Sequence, residues 1–201
     1  MPIPLPMQLP TLAGPRVLLR PMTPADAPAL FALHADAQVM RYWSTPPWTD
    51  PQQALDRLHA DTQAHALGLH LRLAIARRER PDTLLGACTL FDLDADQGRA
   101  EIGYALAPAA WGRGLMREAL ALLIGHGFDD FGLRRIEADI DPRNTPSART
   151  LEALGFQREG LLRERWCVAG EVSDSALYGL LRRDWLARSA LPGNPAGATA
   201  A

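Results

Sequence analysis

The spacing of apolar and polar positions changes period several times along this chain, and each change marks an element. Val17, Leu18 and Leu19, between Arg16 and Arg20, predict a short strand. Thr23-Pro24-Ala25-Asp26 then supplies a helix start, with a hydroxyl cap, proline at the first helical position and an acid at the third. Thr49-Asp50-Pro51-Gln52 repeats that signal, and Ala54, Leu55, Leu58 and His59 fall at helical spacing in a segment that runs to about Ala66 before Gly68 stops it. Leu71, Leu73 and Ile75 alternate with His70, Arg72 and Ala74; Thr83 to Leu93 and Arg99 to Leu106 follow, each behind turn or charged residues. Three strands in succession predict an antiparallel meander.

From Leu115 the period becomes helical: Met116, Ala119, Leu120 and Leu123 share a stripe, and the glycines at 125 and 127 are expected to end the helix. Ile136, Ala138 and Ile140 then alternate with Arg135, Glu137 and Asp139, so a strand, helix, strand unit with parallel strands is expected. Asn144 to Leu154 reads as a short helix closed by Gly155, with Ser147, Leu151 and Leu154 on one stripe. Leu161 to Val168 pairs with Val172 to Leu181 across a turn at Gly170. The fold class is α+β, a mixed central sheet with helices on both faces. Residues 12–186 form one domain, 1–11 a loose proline-broken arm, and 187–201 a disordered tail of small residues.

Composition narrows the function classes. The 201 residues are 47% hydrophobic and 22% charged, enough for one sizeable core, and the formal net charge of −2 provides no basic field for nucleic acid or an anionic membrane. No apolar run is long enough to span a bilayer, and the N-terminal stretch lacks the pattern of a secretory signal, so a soluble, cytoplasmic protein is expected. Cys88 and Cys167 make neither a disulfide framework nor a zinc site, the histidines lack metal spacing, and no metal is expected. Asp92 to Gly98 resembles the start of a calcium loop, but no acid is placed to close it, and it reads as a hairpin turn.

The segment Glu101 to Glu118 carries the chemistry. Glu101, Gly103 and Ala105 share one strand face and Ile102, Tyr104 and Leu106 the other, which sets a carboxylate beside a patch of minimal side chains. Pro108 ends ladder pairing and is expected to part the strand from its neighbour. Gly112 and Gly114 then allow a tight turn that points successive N–H groups at one spot where a helix begins, a receptor for a pyrophosphate with Arg113 nearby. The Walker pattern and the dinucleotide fingerprint are both absent.

Strand, proline, glycine loop and helix in this order resemble the acetyl-CoA motif of the GNAT superfamily of N-acetyltransferases. Leu18-Leu19-Arg20-Pro21 with Asp26, Trp43, Trp48, Gly86, Asn144 with Ser147, Leu154-Gly155-Phe156, Glu159-Gly160, Gly170, Asp174 and Tyr178 follow the order of its RimJ/RimL-type branch. The resemblance implies a mostly antiparallel sheet with a splayed parallel strand pair at the acetyl-CoA site. It implies that the backbone of Tyr104 and Leu106 holds the pantetheine arm and polarises the thioester carbonyl, that Trp111, Gly112, Arg113, Gly114, Leu115, Met116 and Arg117 cradle the pyrophosphate, and that Asn144 and Ser147 meet the arm near the sulfur. Trp111 and Met116 depart from the commoner residues there, and Leu151 stands where many relatives carry a tyrosine that protonates the thiolate. A homodimer through the C-terminal strands is also implied.

Acetyl transfer to an amine needs a neutral nucleophile, a polarised carbonyl and a stabilised thiolate. Direct attack is expected, because neither cysteine has the context of an activated nucleophile. Glu101 is the candidate base, acting through a water, by its match to the catalytic glutamate of relatives, or else a carboxylate paired with Arg99 or another base at a strand end. Ser147 donates to the thiolate or caps its helix, and Tyr178 is an alternative acid or a packing residue. Trp43 and Trp48 shape an acceptor pocket or form a packed lid. The expected activity is acetyl transfer from acetyl-CoA to a primary amine, either a protein N-terminus or a small molecule. The alternatives are an amine-antibiotic or polyamine acetyltransferase and a non-catalytic acyl-CoA-binding scaffold.

Overall fold

The computed structural model describes residues 9–189, which form an eight-stranded sheet with helices on both faces. In chain order the elements are β1 (Leu12–Ala13), β2 (Val17–Arg20), α1 (Ala27–Ala35), α2 (Ala37–Met40), α3 (Gln52–Ala66), β3 (Leu71–Arg77), β4 (Gly86–Asp94), β5 (Arg99–Leu106), α4 (Leu115–Asp129), β6 (Arg135–Ile140), α5 (Thr145–Leu154), β7 (Gln157–Val168), β8 (Glu171–Leu181) and α6 (Arg182–Ser189). The sheet order is β1-β2-β3-β4-β5-β6-β8-β7, and every pair is antiparallel except β5 with β6. The α+β class, the meander β3-β4-β5 and the parallel β5-α4-β6 unit are as expected.

Sheet alternation divides the interior. Val17, Leu19, Leu71, Leu73, Ile75, Cys88, Leu90, Ile102, Leu106, Ile136, Ala138, Ala176 and Leu180 point to one face, where α4, α5 and α6 close the larger core with Leu120, Leu123, Phe128, Leu151 and Trp185. On the other face Ala74 and Ala105 lie under Leu33 and Val39, and α1 packs on α3 through Leu30 and Ala54.

Several boundaries move for physical reasons. α4 continues through Gly125 and Gly127 to Asp129, where they were expected to stop it. A Cβ on Gly127 would stand 3.0 Å from Leu90 and 3.2 Å from Leu133, so this glycine lets the helix lie close on the sheet, at the roughly 1 kcal/mol that glycine costs a helix. α2, capped by the Asp36 carboxylate on the N–H groups of Gln38 and Val39, has no counterpart in the sequence reading. β7 starts at Gln157 instead of Leu161. α6 continues through Ser189, so the tail expected from 187 is helical over its first three residues, while 190–201 lie outside the described residues. Within the expected arm, Leu9 packs on the larger core; residues 1–8 also lie outside.

The feature that positions the site is the parting of β5 and β6. They pair only where Arg99, Ala100 and Glu101 face Arg135, Ile136 and Glu137. Beyond that β5 stays with β4 as far as Leu106, and β6 stays with β8 as far as Ile140. Each strand follows its antiparallel neighbour, and the sheet opens between them. The opening starts after Glu101, well before Pro108, which was expected to cause it.

Candidate active site

On its β4 side, β5 bonds through its odd-numbered residues, a series continued by the Ala107 N–H on the Leu85 carbonyl. By the alternation of an antiparallel ladder, the backbone groups of Tyr104 and Leu106 point the other way, into the opening that β6 has left. The Leu106 carbonyl is taken by the Trp111 indole N–H at 2.7 Å. The Tyr104 N–H and C=O and the Leu106 N–H form an open edge, where an extended ligand arm can add as a strand.

Below this edge the chain makes a single 3₁₀ turn, Pro108–Ala110, and then the glycine loop. Gly112 (φ 70°) and Gly114 (φ 71°) both occupy the left-handed region, where a side chain is strained. Arg16 ties the loop back: its guanidinium donates to the carbonyls of Arg113 (3.0 Å) and Gly114 (3.5 Å) and to the Glu118 carboxylate (2.8 Å). Glu118 also accepts the N–H groups of Arg16 and Val17 at 2.7 and 2.9 Å. Burial opposes ionisation of Glu118, but these donors outweigh it and hold the carboxyl below its ordinary range. With the loop carbonyls drawn toward β2, the first N–H groups of α4 are left to an anion, and the exposed side chains of Arg113 and Arg117 stand beside them with no ion pair among the described residues. The cradle fits a pyrophosphate. Met116 is half-buried and packs against the core, and Leu115 is fully in it, so these two shape the cradle from beneath.

On the α4–α5 face of β5 the Tyr104 hydroxyl meets Ser147 Oγ at 2.7 Å. α5 is capped by Asn144, whose side-chain oxygen accepts the Ser147 N–H at 3.2 Å, so the capping role considered for Ser147 belongs to Asn144 and the serine hydroxyl is free for other work. Burial pushes the Tyr104 phenol up to about 12, against the lowering effect of Ser147. Tyr178 lies on the same face of β8, buried in the larger core, with its hydroxyl turned toward Glu152 at 3.4 Å; burial and that carboxylate both raise its pKa. Leu151 is wholly buried.

On the opposite face stands Glu101. Burial first, then the charges of Asp139, Asp92 and Glu137, push its carboxyl up to about 7, with Arg165 opposing them. Arg99 is not its partner: that guanidinium reaches Glu137 at 3.2 Å and Asp94 at 3.8 Å. Glu137 is further engaged by Arg135, and Asp139 accepts from the Ser175 hydroxyl. Among the described residues Glu101 makes no hydrogen bond or ion pair, whereas Glu137 and Asp139 both do. The loop after α2 closes on this side: His34 stacks on Trp48 (4.4 Å between centroids) and meets Trp43 edge-on (5.4 Å), and Trp43 packs beside Ala105. Burial and the nearby Arg72 and Arg57 lower His34 to about 4, so it stays a neutral packing ring. The packed-lid reading of the two tryptophans fits this geometry.

Some site residues escaped the sequence reading. Arg16, read only as the flank of a strand, braces the loop from about one hundred residues away, a long-range contact with no local signal. The Tyr104 side chain was passed over in favour of its backbone. Asp139 was recoverable: once β5 and β6 pair in parallel at Glu101 and Glu137, the residue two further along β6 shares their face. A cavity of about 260 Å³ between α3 and the start of α1, lined by Asp61, His65 and Arg72 among others, shares no residue with this site.

The fold is shared with known proteins. The family described as Acetyltransferase (GNAT) domain matches residues 16–157. The uncharacterized N-acetyltransferase p20 of Bacillus licheniformis is 38% identical, over 87% of this chain and 98% of its own length. The uncharacterized N-acetyltransferase YoaA of Bacillus subtilis is 31% identical, over 86% and 97%. Among solved structures, Mycobacterium smegmatis RimJ in complex with CoA-disulfide superposes with a TM-score of 0.80 at 26% identity, over 96% of this chain and 94% of that one.

Proposed function

The chain belongs to the GNAT family of N-acetyltransferases, which use acetyl-CoA, and from that premise we propose that it acetylates a cationic primary amine by direct attack, with the amine entering on the Glu101 face of β5. The observation that carries this reading is Glu101 itself, an unpaired, half-buried carboxylate pushed up to about 7 among other carboxylates. An ammonium is drawn to that cluster, and a base poised near neutral pH is suited to taking its proton. On the cofactor side, acetyl-CoA supplies the activated acyl group; the open edge of Tyr104 and Leu106 aligns its arm, and the glycine loop with Arg113 and Arg117 holds its pyrophosphate. Cys88 is buried with its thiol pushed up to about 12, which argues against an acyl-cysteine route.

The test is release of CoA thiol from acetyl-CoA across a panel of spermidine, aminoglycosides, simple monoamines and peptides with free N-termini. Amines with a second positive charge are expected to show the highest kcat/KM, with the preference shrinking as salt rises. Faster turnover of a neutral-sequence peptide than of any polycation would move the acceptor to a protein N-terminus. CoA binding with no turnover on any amine would leave a scaffold.

A further inference from the structure

The two hydroxyls on the α5 side of β5 form a directed pair. Tyr104 is partly buried against the larger core and Ser147 is buried, the phenol lies 2.7 Å from Ser147 Oγ, and neither hydroxyl makes another hydrogen bond among the described residues. Of the two, the phenol is the stronger acid and the better donor, and the alcohol the better acceptor. If Tyr104 donates, Ser147 keeps its own proton for a third group. The serine sits in the first turn of α5, where the helix dipole favours negative charge nearby, and Tyr104 belongs to the open stretch of β5.

We propose that the Tyr104 side chain is a positioning residue: its phenol donates to Ser147 and so aims the serine hydroxyl at the thiolate that departs when the acetyl group is transferred. The assignment rests on the proposed acetyltransferase reading and deepens it. In the transfer the amine nitrogen forms its bond to the acetyl carbon, the carbon–sulfur bond breaks, and sulfur keeps the electron pair. The nitrogen's proton goes to Glu101, and from there to solvent. The pair stabilises sulfur by hydrogen bonding without surrendering a proton, because a serine hydroxyl and a phenol held near 12 are both weaker acids than a thiol of about 8.5. The thiolate collects its proton later from water.

A thiolate-stabilising pair must also act on CoA bound as product, which gives a readout independent of turnover. The ultraviolet thiolate absorbance of saturating CoA is titrated on the wild-type protein and on Tyr104→Phe, Ser147→Ala, the double variant and Glu101→Gln. The wild-type complex is expected to ionise at lower pH than free CoA. Tyr104→Phe moves the transition at least half a unit back toward the free value, and Ser147→Ala at least as far. The double variant moves no further than Ser147→Ala, since the phenol acts only through the serine. In single turnover, Tyr104→Phe lowers the rate roughly ten-fold with acetyl-CoA affinity and Tm within error of wild type. An unchanged thiol titration in Tyr104→Phe, or additive effects in the double variant, overturns the proposal whatever the enzyme acetylates. Glu101→Gln leaves the thiol titration in place while sharply lowering turnover. If instead Glu101→Gln turns over normally and the thiol shifts are still seen, the base assignment falls and the Tyr104–Ser147 pair stands.

Discussion

The two faces of β5 do opposite things with their polar groups. On one, Glu101 is left without a partner among other carboxylates, and its proton affinity is set by what it lacks. On the other, Tyr104 and Ser147 are bonded to each other at 2.7 Å, and their usefulness comes from fixed direction. A base has to exchange protons near neutral pH, which isolation and neighbouring charge accomplish; a hydrogen-bond donor has to be aimed, which needs a partner behind it. A strand separates these two regimes because its side chains alternate. The open edge between them belongs to neither face, so one ligand there can be reached from both.

Removing the charge tests the first face most severely. Glu101→Gln is expected to lower kcat/KM by about 10² to 10⁴-fold and to abolish the acidic limb of the pH–rate profile near 7. The same change should stabilise the fold. Folded Glu101 binds its proton more tightly than the unfolded chain does, so stability falls as pH climbs from the ordinary 4.5 to about 7. The Tm of Glu101→Gln should therefore draw ahead of wild type through that window, hold its lead above it and match wild type below. A variant that lost activity without this gain would mark Glu101 as a structural carboxylate.

Smaller effects sharpen the contrast. Glu118→Gln, which weakens the tie between Arg16 and the loop, should raise KM for acetyl-CoA roughly ten-fold with kcat little changed, read by initial rates. Asp139→Asn removes one of the charges that raise Glu101 but can still accept from Ser175, so the acidic limb should move down by a few tenths of a pH unit. Tyr178→Phe should change single-turnover rates by less than about two-fold, because its hydroxyl faces Glu152 and not the opening. A loss as large as that of Ser147→Ala would shift the donor role to β8.

How legible the molecule is in its sequence follows the range of the interactions involved. The helical turn after Thr23, the cap at Asn144 and the left-handed stop at Gly155 are local matters of backbone chemistry and appear where the residues imply them, whereas the second start falls at Gln52, with Asp50 and not Thr49 accepting its N–H. The glycine loop is likewise readable, since its two positive φ angles permit few other residues. Gly127 misleads because packing against Leu90, which no local window contains, outweighs helix propensity. Trp43 and Trp48 could be placed in a loop but not aimed, because His34 decides where they lie. The partner of Arg99 was left open for the same reason: sequence proximity offered Glu101 as one alternative, and strand register delivered Glu137.

The indole of Trp111, half-exposed at the rim of the cradle and tethered to the Leu106 carbonyl, makes the loop optically addressable. Its neighbours in the chain are the amides proposed to receive the pyrophosphate, and its own N–H ends on the strand proposed to align the arm. Any rearrangement of either part alters the polarity around this fluorophore, whereas Trp185 is sealed in the core, Trp43 and Trp48 pack edge-on and stacked against His34, and Trp166 lies on β7. Occupancy of the loop can thus be followed by intrinsic emission, with Trp111→Phe as the blank, and without labelling the protein or its ligand.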